Sequence, residues 1–110
     1  MEKRRSLRKP VHINVKLSIH DKTYSAFIEN ISYEGIGANI VLTPEEVIHG
    51  ILPSTPLKMY FETGESGEIK LDCQVKWIKI FQDDDRKIIY IIGSEIIQPP
   101  DEYRDFVKSL

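Results

Sequence analysis

The sequence predicts an all-β domain: a six-stranded antiparallel β-barrel with a short inserted helix and a C-terminal helix. Three observations carry this expectation. Apolar and polar residues alternate strictly from Val11 to Ile19, the period of a strand with one buried face. Further alternating runs follow at short intervals, each bounded by turn residues such as Gly, Pro and Asp. A chain of about six short antiparallel strands then removes its exposed edges by closing on itself.

In the first strand Val11, Ile13, Val15, Leu17 and Ile19 share one face, and His12, Asn14, Lys16 and Ser18 the other. His20, Asp21 and Lys22 form a polar connection to a hairpin partner in which Tyr24, Ala26 and Ile28 alternate with Ser25, Phe27 and Glu29. Glu29 to Gly35 reads as a turn, and a third strand runs from Ile36 to Leu42. Thr43-Pro44-Glu45-Glu46 offers an N-cap, a first-turn proline and a capping-box glutamate, predicting one short helix that ends near Gly50.

Pro53 and Pro56 break the chain before Leu57, Met59 and Phe61 resume the alternation, and Gly64 to Gly67 forms the next hairpin turn. The fifth strand places Ile69, Leu71, Cys73, Val75 and Trp77 on one face, then Ile78 and Ile80 on the other. That phase slip predicts a bulge. Asp83 to Asp85 is a solvated turn. Ile88 to Ile92 is apolar on both faces, as in a covered strand, and Gly93 ends or bends it. Pro99, Pro100 and Asp101 start a final helix with Tyr103, Phe106, Val107 and Leu110 at helical spacing.

With 110 residues and 41% hydrophobic content, the chain can bury one core. The organisation expected is a basic arm over residues 1–9 and a single barrel domain over residues 10–110. Within the arm Lys3, Arg4, Arg5, Arg8 and Lys9 face one acid, Glu2. That leaves ten basic and sixteen acidic residues for the rest of the chain, a poor surface for coating DNA or RNA. Cys73 is the only cysteine, so internal disulfides and cysteine-rich zinc sites are ruled out and a reducing, cytoplasmic setting is expected. No signal-peptide core or membrane-spanning run is present.

Catalytic and metal-binding readings lack support. His12, His20 and His49 fall in different elements without paired spacing, so no metal is expected. The Asp83 to Asp85 run lacks calcium-loop spacing, and no serine sits in a nucleophile elbow. Trp77 shares the phase of Val75 and is expected in the core, with Cys73 inert beside it.

Two segments point to ligand binding. Arg4 and Arg8 form an R-x-x-x-R spacing, and Asn30-Ile31-Ser32-Tyr33-Glu34-Gly35 forms an N-x-S-x-x-G turn. A guanidinium fork meets phosphate oxygens in bidentate fashion, matches the O6/N7 edge of guanine, or stacks on its face. The turn supplies an amide, a hydroxyl and a glycine that permits close backbone approach. Each segment also has a purely structural reading. The arm can be a solubilising tail, and Asn30 and Ser32 can bond their own backbone with Gly35 at positive φ.

Together, and in this order, the motifs resemble those of the PilZ domain family: R-x-x-x-R before the first barrel strand and D/N-x-S-x-x-G after the second. Strand order, the Val75-Lys76-Trp77 segment and the terminal helix extend the resemblance over nearly the whole chain. It implies a barrel of the split-barrel, Greek-key type and a receptor without catalysis that binds cyclic di-GMP on the outer barrel surface through Arg4, Arg8, Asn30, Ser32 and Gly35. Arg5 is expected as a secondary contact, and no further cofactor. Asn30 stands where aspartate is more frequent, and one acceptor oxygen in place of two lowers the expected affinity. Ile96 stands where an aromatic residue is frequent, a packing variation. The implied role is that of an adaptor, monomeric or homodimeric, in which ligand orders the arm and presents an altered surface to a protein partner in trans. The rival readings are an OB-like nucleic-acid-binding barrel with a basic arm, whose affinity would fall steeply with salt, and a degenerate PilZ domain kept for protein interaction.

Overall fold

In the computed structural model, which describes residues 8–64 and 67–110, the alternating runs become six antiparallel strands. They are β1 (Lys9–Ile19), β2 (Lys22–Ile31), β3 (Gly35–Leu42), β4 (Pro56–Thr63), β5 (Gly67–Gln82) and β6 (Ile88–Ile96). An α-helix, α1 (Asp101–Lys108), follows. The strands close into a ring in the order β1-β2-β3-β6-β5-β4, as the fold expected from the sequence requires.

The interior follows the period-two pattern. Val15, Leu17 and Ile19 of β1 face Leu57, Met59 and Phe61 of β4, with Ile69, Leu71 and Cys73 of β5 beyond them, all buried. Helix α1 lays Tyr103 and Val107 into the core, and Phe106 packs against Phe61 with ring centroids 5.8 Å apart. The amphipathic stripe explains this placement, because α1 has no other way to remove it from water. Its ends suit its dipole, with Asp101 and Glu102 in the first turn and Lys108 in the last.

Three expectations need correction. The inserted helix is only one 3-10 turn, Pro44–Glu46. The capping box is present, with the Thr43 N–H donating to Glu46 Oε1 at 3.0 Å. Tertiary bonds take over beyond it: Ile48 is buried and its N–H donates to Tyr90 Oη at 3.0 Å, while Gly50 adopts φ 76°, which ends helical geometry. Second, the turn is shorter than Glu29 to Gly35, because β2 runs on to Ile31 through a register shift between Ile28 and Asn30.

Third, Trp77 is not in the core. The bulge in β5 exists but lies between Val75 and Trp77, one residue earlier than the apolar pattern suggests. The extra residue, Lys76, inverts the phase, so Val75 is buried and Trp77 is 44% exposed.

Candidate functional site

The bulges fix what the outer wall displays. The shift in β2 puts Asn30 outside while both Ile28 and Ile31 stay buried. The shift in β5 does the same for Trp77. Register then connects them: Asn30 pairs with Gly37, Gly37 with Gly93, and Gly93 with Trp77. Four strands thus contribute one row, polar at one end and aromatic at the other, spanning roughly 14 Å at the usual interstrand spacing.

The two glycines make this row flat. A Cβ on Gly37 would lie 2.6 Å from Asn30 Nδ2 and 2.9 Å from its Oδ1, so the amide lies across the bare backbone. A Cβ on Gly93 would lie 2.2 Å from the Trp77 ring, which rests on that backbone. Glycine inside a strand otherwise weakens it. Here its absence of side chain lets an amide and an indole lie close to the barrel wall. Lys79 adds a cation 5.8 Å from the Trp77 ring centroid.

Arg8 reaches this row from the start of β1. Its Nη1 donates to Asn30 Oδ1 at 2.5 Å, and its Nη2 lies 3.8 Å from where a Cβ on Gly35 would stand. The guanidinium therefore spans the Asn30 amide and the Gly35 backbone, exposed to solvent. Among the described residues its remaining N–H groups have no hydrogen-bond partner, which suits them to an anion or an acceptor edge. Arg4 and Arg5 lie outside the described residues.

Ser32 and Gly35 build the support. Ser32 is buried, and its hydroxyl accepts from the Gly35 N–H at 3.1 Å and the Glu34 N–H at 3.3 Å while donating to the Gly35 carbonyl at 3.3 Å. The Ser32 N–H donates to the same carbonyl at 2.9 Å. Within this turn the hydroxyl is fully engaged. Gly35 does not adopt positive φ. Its requirement is steric, since a Cβ would stand 2.8 Å from the Ser94 carbonyl oxygen of β6.

Helix α1 locks the turn from beneath. Tyr103 Oη donates to the Ser32 carbonyl, and burial holds the Tyr103 phenol well above its ordinary pKa, so it stays a donor at all physiological pH. Lys9, next to Arg8, donates through Nζ to the Val107 and Leu110 carbonyls, each at 3.1 Å, where the helix dipole favours a cation. Arg8 and Lys9, the turn and α1 are one connected unit. Tyr103→Phe is expected to lower stability by about 1–3 kcal/mol, since it leaves the Ser32 carbonyl buried and unpaired. A urea melt with unchanged m-value checks this.

Among the described residues, the other polar side chains form no second constellation. His12 and Phe27 stack with centroids 4.8 Å apart, and His12, His20 and His49 are all exposed. Among the described residues no group of three His, Cys, Asp or Glu side chains could hold a metal, and no helix is long and apolar enough to cross a membrane. Asp83 Oδ1 accepts from the Asp85 and Lys87 N–H groups, organising its own turn. Burial pushes the Cys73 thiol up to about 12, opposed by a hydrogen bond with Ser94 and reinforced by Asp72, so it remains protonated and unreactive at neutral pH.

Gly37, Gly93 and Trp77 are site candidates that the sequence did not reveal as such. Gly37 had a readable signal, because in Gly35-Ile36-Gly37-Ala38 the buried phase belongs to Ile36 and Ala38. A mid-strand glycine on the other phase marks close approach.

A closed six-stranded ring, with a guanidinium, an amide and an indole on one outer wall and a helix bracing the turn between β2 and β3, defines a small β-barrel domain with these groups gathered on its exterior. The chain belongs to the PilZ domain family, whose model matches residues 2–108. Solved structures agree in fold. The PilZ domain of YcgR from Escherichia coli, solved with c-di-GMP, has a TM-score of 0.74 at 14% identity over 99% of this chain and 92% of that one. MotI/DgrA of Bacillus subtilis, an inhibitor of motility, gives 0.67 at 17% identity over 97% of this chain and 48% of that one. MrkH of K. pneumonia, solved as a complex with c-di-GMP, gives 0.65 at 19% identity over 94% and 49%. The chain thus spans about half the length of the latter two. No sequence among the curated proteins matches it.

Proposed function

We propose that the chain is a receptor for cyclic di-GMP, bound on the outer wall where Arg8 meets Asn30, and that it carries no catalysis of its own. The observation that supports this best is the guanidinium of Arg8 laid against the Asn30 amide above Gly35 and Gly37. A fork of donors, a base-edge reader and bare backbone stand together on one exposed face, suited to an anionic purine. Family membership and two neighbours solved with c-di-GMP support the choice of this ligand.

In this reading Arg8 and Arg4 grip phosphate and guanine, with Arg5 adding a secondary contact. Asn30 reads a guanine edge through its amide, and Ser32 holds the turn that presents it. Gly35 and Gly37 let the ligand approach the backbone, and Trp77 offers a flat face for a base at the far end of the row. Ligand binding draws the basic arm, through Arg4, toward Arg8 at the start of β1 and alters the surface offered to a protein partner, as a ligand-driven switch. The ligand is the diffusible signal, with no DNA or RNA substrate and no resident cofactor, and the protein acts in the cytoplasm.

Isothermal titration tests the reading. Cyclic di-GMP should give a saturable isotherm and GTP none at the same concentration. No heat with the dinucleotide at high micromolar concentration contradicts it. Asn30→Asp should bind roughly three- to tenfold more tightly, because a carboxylate accepts both the guanine N1 and N2 donors while still facing Arg8, and one more net hydrogen bond has about that value.

A further inference from the structure

Strand β5 outruns its neighbour. It pairs with β4 from Gly67 to Gln74, and the chain before β4 extends this by one residue, with the Ser54 N–H donating to the Val75 carbonyl and the Val75 N–H to the Thr55 carbonyl. From Lys76 to Gln82 the strand has β6 on one side and, among the described residues, no strand on the other. The Asp83 N–H donates to the Lys87 carbonyl, which continues the ladder with β6. Antiparallel alternation then assigns the backbone groups of Trp77, Lys79 and Phe81 to β6 and turns those of Ile78, Ile80 and Gln82 outward.

This free edge is apolar on both faces. Ile80 is 59% exposed and Phe81 50%, on opposite phases of the strand, next to the exposed Trp77. A long apolar edge with unpaired donors and acceptors is a template for another strand. Its charges are also arranged to match themselves: Lys76 and Lys79 lie at the start and Asp83, Asp84 and Asp85 at the end. Laid antiparallel on a second copy, the basic start of each strand meets the acidic end of the other.

We infer that the chain forms a homodimer by antiparallel pairing of the free β5 edges of two copies about a two-fold axis at Ile80. The register follows from the charges. Centring on Lys79 would set two lysines face to face, which is repulsive. Centring on Ile80 places the outward-turned Ile78 against Gln82 of the second copy, Ile80 against itself, and Lys76 near the acidic turn. The two barrels then share one continuous sheet, with the most exposed isoleucine of the strand buried at its centre. The interface leaves Arg8 and Asn30 untouched and does not depend on the ligand.

Sedimentation equilibrium on the full chain tests this. The native protein should show a monomer–dimer equilibrium at micromolar concentration, and Ile80→Lys, which sets two ammonium groups on the axis, should raise the dimer Kd at least about tenfold with an unchanged thermal melt. A native chain that stays monomeric at high micromolar concentration overturns the inference, including the case in which residues 1–7 of the same chain cover the edge. So does an Ile80→Lys variant that dimerises like the native chain. As an independent measurement, Ile80→Cys should form a disulfide-linked dimer under mild oxidation, because facing residues of a hydrogen-bonded pair stand about 5.5 Å apart at Cα, within disulfide range. The buried Cys73 does not compete, and failure of Ile80→Cys to cross-link contradicts the two-fold at Ile80.

Discussion

Arg8→Ala should weaken cyclic di-GMP binding at least about tenfold, because truncating one member of a charge-assisted contact typically costs about 2–5 kcal/mol and each 1.4 kcal/mol is tenfold. The loss has two parts. The ligand forfeits the guanidinium fork, and Asn30 loses the donor that Oδ1 now faces, so its amide is no longer held in one orientation. Arg8→Lys should recover little, since an ammonium keeps the charge but neither the planar fork nor its two-point geometry. The fold should be indifferent, because Arg8 is exposed and its partner is a surface amide. Titration calorimetry beside a thermal melt checks both halves. An Arg8→Ala protein that binds like the native chain would remove Arg8 from the site, while one that melts early would make it a structural residue.

Gly35→Ala should do the opposite, damaging the fold first. A Cβ at that position stands 2.8 Å from the Ser94 carbonyl oxygen, a backbone atom within the β3–β6 ladder, where Gly35 pairs with Glu95 and Ile36 with Ser94. No rotamer change relieves such a contact, so the strands must part, at an expected cost of about 1–3 kcal/mol. For a domain of this size that corresponds to a fall in Tm of roughly 4 °C or more. Gly37→Ala is the informative companion. There the three atoms nearest the added methyl all belong to the Asn30 side chain, which can swing away. Stability should hold while ligand affinity falls, because Asn30 no longer lies where Arg8 meets it. If both variants instead lost stability equally, the distinction between a supporting and a recognising glycine would be wrong.

Most of the architecture was legible because alternation is an unambiguous code wherever one strand face is wet. The runs beginning at Val11, Leu57 and Ile69 identify their buried residues directly, and the helix after Pro100 declares itself by its stripe. The sequence is least readable where apolar residues occupy both phases. Val75-Lys76-Trp77 continues the period of the strand before it, so nothing in composition shows that Lys76 is the extra residue that turns Trp77 outward. The short helix stops early for a related reason: the capping signals at Thr43 and Glu46 are real, but local signals cannot foresee that Tyr90, far along the chain, captures the Ile48 backbone.

The motif residues divide in the same way. Arg8 and Asn30 are brought together on the surface, as two groups acting on one ligand would require. Ser32 and Gly35 look chemically similar in sequence but meet different demands, one filling the turn with hydrogen bonds and the other avoiding a carbonyl of β6. A hydroxyl next to a glycine in a turn does not reveal whether it faces a ligand or its own backbone. Only the bond from Tyr103, seventy-one positions further on, shows how much of the turn is devoted to holding itself in place.

The most direct test of the central claim is a titration of the isotope-labelled chain with cyclic di-GMP, followed residue by residue through its backbone amide and indole resonances. Binding at the proposed face predicts saturable shifts of Arg8, Asn30, Gly35, Gly37 and Gly93 and of the Trp77 indole, with β4 (Pro56–Thr63) unaffected. Shifts confined to β4, or none at saturating nucleotide, would place recognition elsewhere and contradict the account.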